Sequence, residues 1–278
     1  MLDSVSVYEP EPTRMRKRRK YLLAVLAFLV LMLAVMLLGL PKRAALGKTE
    51  HVSVQGVVNS AVGPLWQRVI NAARGPVRVG IQIGHENVAA HPEELAHLRW
   101  NTGGHANGVD EVDLNHEVAE AVRAQLEAYG IEVDLLSAAP PEGYYADLVL
   151  SLHADSVPDP ARRGYKSAHF EPERNPLEPR LKRLIDEAYL AGSSFPNDDL
   201  NTTENMNRYY AFNLWRYRHS IHPGTPSLIV EMGYLSSASD MAFLDEPEEP
   251  AAALSAGIVE FLRERGRLSA THLRAVSR

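Results

Sequence analysis

VRVGIQIGH, residues 77–85, alternates apolar residues with polar or small ones up to Ile83 and then breaks at Gly84-His85. A period of two is the signature of a β-strand, and a glycine followed by a polar residue marks its end. Downstream, Leu114, Val118, Val122, Leu126 and Tyr129 recur at helical spacing, and Gly130 is placed to close that helix in a left-handed conformation. Ile131, Val133 and Leu135 then alternate as a second strand. Residues 147–152 (DLVLSL) and 227–230 (SLIV) are short apolar runs, as expected of strands covered on both faces. Between them lie a helix with Leu181, Leu184, Ile185 and Ala188 as its buried stripe, ended by Gly192, and an aromatic-rich helix over 204–217. A last helix, 251–265, carries Leu254, Ile258, Phe261 and Leu262 on one face. Strands alternating with helices predict an α/β fold, a three-layer sandwich around a mainly parallel sheet.

His85 follows the first strand, His153 the strand at 147–152, and Glu231 the strand at 227–230. Carboxyl ends of parallel strands share one edge of a sheet, and ligands bind in the crevice above it. Glu111 opens the helix after the first strand and starts near the same edge. Two imidazoles and a carboxylate are a donor set for catalytic zinc, which leaves a fourth position for water. A further carboxylate can take a proton from that water as it attacks a carbonyl. With eleven histidines in the chain, spacing alone leaves structural histidines open as the alternative. Glu111 also reads as a helix-start acid favoured by the dipole, and Glu231 as half of a structural ion pair. His91, His97, His105, His116 and His169 read as surface residues or supports rather than ligands.

At these same residues the sequence resembles the zinc-dependent N-acetylmuramoyl-L-alanine amidases. The resemblance is carried by residues 79–85 (VGIQIGH), 111–115 (EVDLN), 151–154 (SLHA) and 230–236 (VEMGYLS), in that order. It spans about residues 77–265 and implies the family fold, zinc, and hydrolysis of the amide between the muramic acid lactyl group and L-alanine in peptidoglycan. Position by position it makes His85, Glu111 and His153 the metal ligands and Glu231 the catalytic carboxylate. The chain departs from the family pattern beside His85, where Gln82-Ile83 and Glu86-Asn87 replace the usual Asp-Pro and Gly-Gly. It also lacks the Thr-Arg pair after the second strand, in a short segment, 137–146. The long polar connection 86–110 is expected to lie over the groove as a lid or specificity loop. A fold that binds peptidoglycan without cleaving it, and a zinc peptidase or amidohydrolase with another substrate, remain the alternatives.

The rest of the chain sets the context. Residues 21–40 (YLLAVLAFLVLMLAVMLLGL) carry no charge, and at about 1.5 Å per residue reach roughly 30 Å, the thickness of a bilayer core. Arg14, Arg16, Lys17, Arg18, Arg19 and Lys20 precede this run, which keeps the N-terminus cytoplasmic and places the remainder outside the cell membrane. The organisation expected is a cytoplasmic basic tail at 1–20, a single transmembrane helix at 21–40, a stalk at 41–76, a catalytic domain at 77–266 and a tail at 267–278. Cysteine is absent, so disulfides, thiolate catalysis and cysteine metal sites are excluded. A net charge of −6 gives no general attraction for nucleic acid. The partners expected are peptidoglycan and membrane, with a protein activator left open.

Overall fold

The computed structural model describes residue 71 and residues 74–268. The expected tail at 1–20, the span at 21–40 and the stalk up to residue 70 lie outside the described residues. Among the described residues, no helix is long and apolar enough to cross a membrane.

The unit that begins at Pro76 is built on a five-stranded sheet in the order β4-β1-β5-β7-β6. Its strands are β1 (Arg78–Ile83), β4 (Glu132–Leu136), β5 (Leu148–Asp155), β6 (Lys166–Ala168) and β7 (Ser227–Tyr234). All neighbours run parallel except β6, which is antiparallel to β7. Two short strands, β2 (His105–Ala106) and β3 (Val109–Asp110), form a separate hairpin before the first helix. The helices are α1 (Glu111–Glu127), α2 (Glu178–Ser193), α3 (Glu204–Asn207), α4 (Ala238–Leu244) and α5 (Glu248–Glu264). The α/β class and the mainly parallel central sheet are as the sequence predicts. Gly130 takes φ 72°, the left-handed turn expected between α1 and β4.

Strand periodicity sorts the side chains of the sheet onto two faces. Val79, Ile81, Leu150, Leu152, Leu228 and Val230 share one buried cluster with Val118 of α1, Ile185 of α2 and Ile258 of α5. This is the main core. Val149 and Ile229, of the opposite parity, pack instead with Met206, Tyr209, Phe212 and Ile221. Packing runs on past α5, where Leu268 joins the main core and Arg267 pairs with Asp147 at 2.7 Å.

Two expectations are corrected. Residues 204–217 do not form one helix: α3 ends at Asn207, and a single 3-10 turn follows at Tyr210–Phe212. Its buried residues Met206, Tyr209, Ala211, Phe212 and Tyr217 do not recur at a steady 3.6 spacing, and aromatic residues have weak helix propensity. The outer layer on that face is therefore made of turns. Gly192 does not end α2, which runs to Ser193 and is closed by Ser194 at φ 57°. A side chain at Gly192 would meet Ala253 of α5 at 2.9 Å, so the residue serves close helix packing.

Candidate metal centre and active site

The sequence places His153 and Glu231 at strand ends. The structure carries β5 on to Asp155 and β7 on to Tyr234, so both residues sit within strands and pair directly in register. Their parity puts them on the face opposite the three long helices. Gln82 and Ser151 pair on the same face, where the Ser151 hydroxyl donates to Gln82 Oε1 at 2.5 Å and Gln82 Nε2 donates to the Ala138 carbonyl at 2.7 Å. The departure at Gln82 is thus an amide bonded through both its oxygen and its nitrogen, which ties β1 to β5 and to the chain after β4.

His85 lies just beyond β1 with φ 64°, a left-handed conformation that costs a non-glycine residue on the order of 1–2 kcal/mol. The turn is fixed by Gly84 N–H donating to the Leu152 carbonyl at 3.0 Å. Gly84 must lack a side chain, because a Cβ there would stand 2.5 Å from the His153 ring. The two imidazoles meet edge to face, with centroids 4.8 Å apart. Glu111, first residue of α1, sends one carboxylate oxygen between them, 3.2 Å from His85 Nε2 and 2.9 Å from His153 Nδ1. Its other oxygen accepts from Gly104 N–H at 2.7 Å. Burial pushes against ionisation of Glu111, yet the hydrogen bonds and charges of His153 and His85 outweigh it and hold the carboxyl well below its usual range. For His85, burial again opposes charge, and the Glu111 contacts with the Asn101 carbonyl raise its affinity for a proton.

His85, Glu111 and His153 offer ligand atoms that all lie within 4.8 Å of one another. Two further contacts make the set suited to a metal ion. His85 Nδ1 is anchored by the Asn101 carbonyl at 2.8 Å and His153 Nε2 by the Tyr209 hydroxyl at 3.0 Å. Metal-binding histidines characteristically spend their second nitrogen on an orienting partner of this kind. Nitrogen and carboxylate donors without thiolate suit zinc.

Glu231 stands beside this cluster, and one of its carboxylate oxygens is buried without a hydrogen-bond partner. Burial, followed by the negative charges of Glu111 and Asp155, drives its proton affinity well above that of an ordinary carboxyl, against the pull of Lys166. Lys166 is the antiparallel ladder partner of Glu231 and only 2% exposed. Its ammonium donates to Asp155 at 2.5 Å and to the Tyr234 hydroxyl at 3.2 Å.

A cavity of about 630 Å³ opens over His85, His153 and Glu231. One wall is the connection after β1, with His91, His97, Leu98 and Asn101; the other is the segment of turns from Thr203 to Tyr217. The two walls are joined by Glu94, whose carboxylate accepts from the backbone N–H of Arg218 at 3.1 Å and of His219 at 2.8 Å. The lid expected over residues 86–110 is therefore a fixed wall along part of its length. His105 pairs with Asp110, His116 with Glu86, and His169 lies against the Phe170 carbonyl, away from the cluster. His91 is not a surface residue: it is buried, both ring nitrogens lack partners, and its ring packs edge-on to Tyr210 at 6.2 Å. Tyr209, Asn101 and Lys166 are the supports that sequence reasoning missed, because each reaches the site through folding rather than through a local motif.

Two imidazoles and a carboxylate beside a buried glutamate, on one face of a mainly parallel α/β sheet, make a donor set for a metal ion with a further carboxylate at hand. Residues 81–262 match the protein family described as N-acetylmuramoyl-L-alanine amidase, and the chain belongs to that family of enzymes. No curated protein matches the chain. Among solved structures, the amidase Ami1 of Mycobacterium smegmatis aligns with TM-score 0.51 at 18% identity, over 68% of this chain and 97% of that one. That likeness is one of fold. AmiC2 of Nostoc punctiforme gives 0.48 at 22%, covering 68% and 98%. The catalytic domain of CwlV from Bacillus (Paenibacillus) polymyxa gives 0.47 at 19%, covering 67% and 98%.

Proposed function

We propose that the chain is a zinc-dependent amidase, anchored in the cell membrane, that hydrolyses the amide between N-acetylmuramic acid and L-alanine in peptidoglycan outside the cytoplasm. The observation that carries this reading is the convergence of His85, Glu111 and His153 within 4.8 Å, next to the unpartnered carboxylate oxygen of Glu231. These three residues would hold the zinc, which supplies a Lewis acid for the scissile carbonyl and acidifies a water molecule. Asn101 and Tyr209 orient the two imidazoles through their second nitrogens. Glu231 takes the proton of the attacking water and passes it to the amine of the departing L-alanine. Burial makes Glu231 a stronger base than an ordinary carboxylate, and once protonated it can act as an acid toward the leaving amine. Anchoring is supported by the uncharged run at 21–40 behind its basic flank.

Glu231→Ala in the full chain tests the assignment. The variant should keep one zinc per chain by elemental analysis, while stem-peptide release from muropeptide falls by on the order of 10³-fold. In fractionated cells both proteins should sediment with membranes. Release at the normal rate would remove Glu231 from the mechanism, and a soluble wild type would remove the anchor.

A further inference from the structure

Both tryptophans among the described residues stand in solvent, Trp100 at 89% exposure and Trp215 at 70%. Tryptophan is highly buried on average, so two exposed indoles in one domain point to something that covers them. Neither lines the cavity itself, but each is flanked in sequence by residues that do. Trp100 lies between Leu98 and Asn101 of one wall, and Trp215 between Asn213 and Arg216 of the other, all four of which line the cavity. The walls also meet at His97 and Tyr217, three residues before Trp100 and two after Trp215, with ring centroids 6.3 Å apart. Trp215 is braced by Phe170, its ring centroid 6.0 Å away.

We infer that Trp100 and Trp215 form a saccharide-binding rim at the mouth of the cavity, which holds the glycan side of the substrate by stacking on pyranose rings. This inference rests on the amidase reading above. The scissile amide joins a sugar-borne lactyl group to a peptide, so once it reaches the cluster of His85, Glu111 and His153 the sugar must extend past the mouth. An N-acetylated sugar without ionised groups cannot be held by ion pairs. Its C–H face is apolar and its hydroxyl edge is polar. A flat indole covers the first and leaves the second in water. Tyr145, 63% exposed with its ring against His222, belongs to neither wall and provides the contrast.

The test is calorimetric titration of the purified full chain with chitotetraose, a neutral N-acetylglucosamine tetramer that contains no scissile peptide amide. The wild type should bind it. Trp100→Ala and Trp215→Ala should each weaken binding about tenfold, equal to about 1.4 kcal/mol. Trp100→Phe should recover part of the loss, and Tyr145→Ala should bind as the wild type does. Both tryptophans are exposed, so these variants should fold normally, which circular dichroism checks. The rim is overturned if the wild type gives no binding heat at millimolar sugar, if either tryptophan variant binds as tightly as the wild type, or if Tyr145→Ala weakens binding as much. Sugar binding that depends on both tryptophans in a protein with no muropeptide hydrolysis would sink the amidase reading and leave the rim standing.

Discussion

The two faces of the sheet are made from the same three central strands, yet they differ in kind. On the helical face, Ile81, Leu150 and Leu228 stand side by side in register, each completely buried. On the other face the corresponding positions are Gln82, Ser151 and Ile229, with His153, Glu231 and Lys166 further along. One face gains stability from apolar burial. The other gathers buried polar groups that are held by hydrogen bonds, except that one carboxylate oxygen of Glu231 has no partner. Adjacent residues of one strand therefore serve separate ends, stability and chemistry, and the pleat keeps them apart.

The largest effect that could break this division comes from the helical face. Leu150→Ala should lower unfolding stability by about 2–5 kcal/mol in denaturant titration, while zinc stoichiometry stays unchanged. Loss of zinc in the folded variant would mean that the faces are coupled.

A second test concerns the charge that intrudes on the helical side. Glu178 opens α2, accepts from Ser227 N–H at 3.2 Å and pairs with Arg174 at 3.0 Å, with both side chains fully buried. Burial, only partly offset by Arg174, pushes its carboxyl up to about 7. A folded-state value above the unfolded one means that the native protein binds the extra proton. The contribution is complete below about pH 4 and is lost as pH rises to 7, by on the order of 3 kcal/mol. Comparing the pH dependence of unfolding with that of Glu178→Gln isolates it, since the variant should lose this slope. Identical slopes would refute the assignment.

On the polar face, Tyr209→Phe removes the hydroxyl that orients His153 and leaves the ring packed. Zinc affinity measured by chelator competition should fall by about 10–100-fold with little change in fold. An unchanged affinity would show that packing alone aims the imidazole. The smallest effect is expected at His91. Because its two buried nitrogens have no partners, His91→Phe should raise stability by about 1 kcal/mol, seen as a higher Tm. A lower Tm would mean that those nitrogens are satisfied in solution.

Much of the division was legible in the sequence. Alternation at 77–83 located β1, and the motifs at His85, Glu111, His153 and Glu231 named the residues that now converge. What the sequence misread was where side chains stand. His153 and Glu231 looked like residues beyond strand ends because the strands turn polar there, yet hydrogen bonding carries β5 and β7 onward. β6 has only three residues, too few for alternation to register, so Lys166 went unnoticed. The stretch at 204–217 looked helical because it is rich in apolar rings, whereas those rings cap a sheet face as a series of turns. The sequence leaves His91 as either a surface residue or a support, because nothing local to it encodes the Tyr210 ring it lies against.

The in-register pairing of His153 with Glu231 has a consequence for anyone who would redesign this molecule. Their separation is inherited from the spacing of two bonded strands, the least adjustable dimension a protein has. Residues 86–104 and 203–217, by contrast, are attached cladding. Apart from Asn101, Gly104 and Tyr209, which hold the two imidazoles and Glu111, they can be exchanged for loops of other composition, with His153 and Glu231 left at the positions the strands give them.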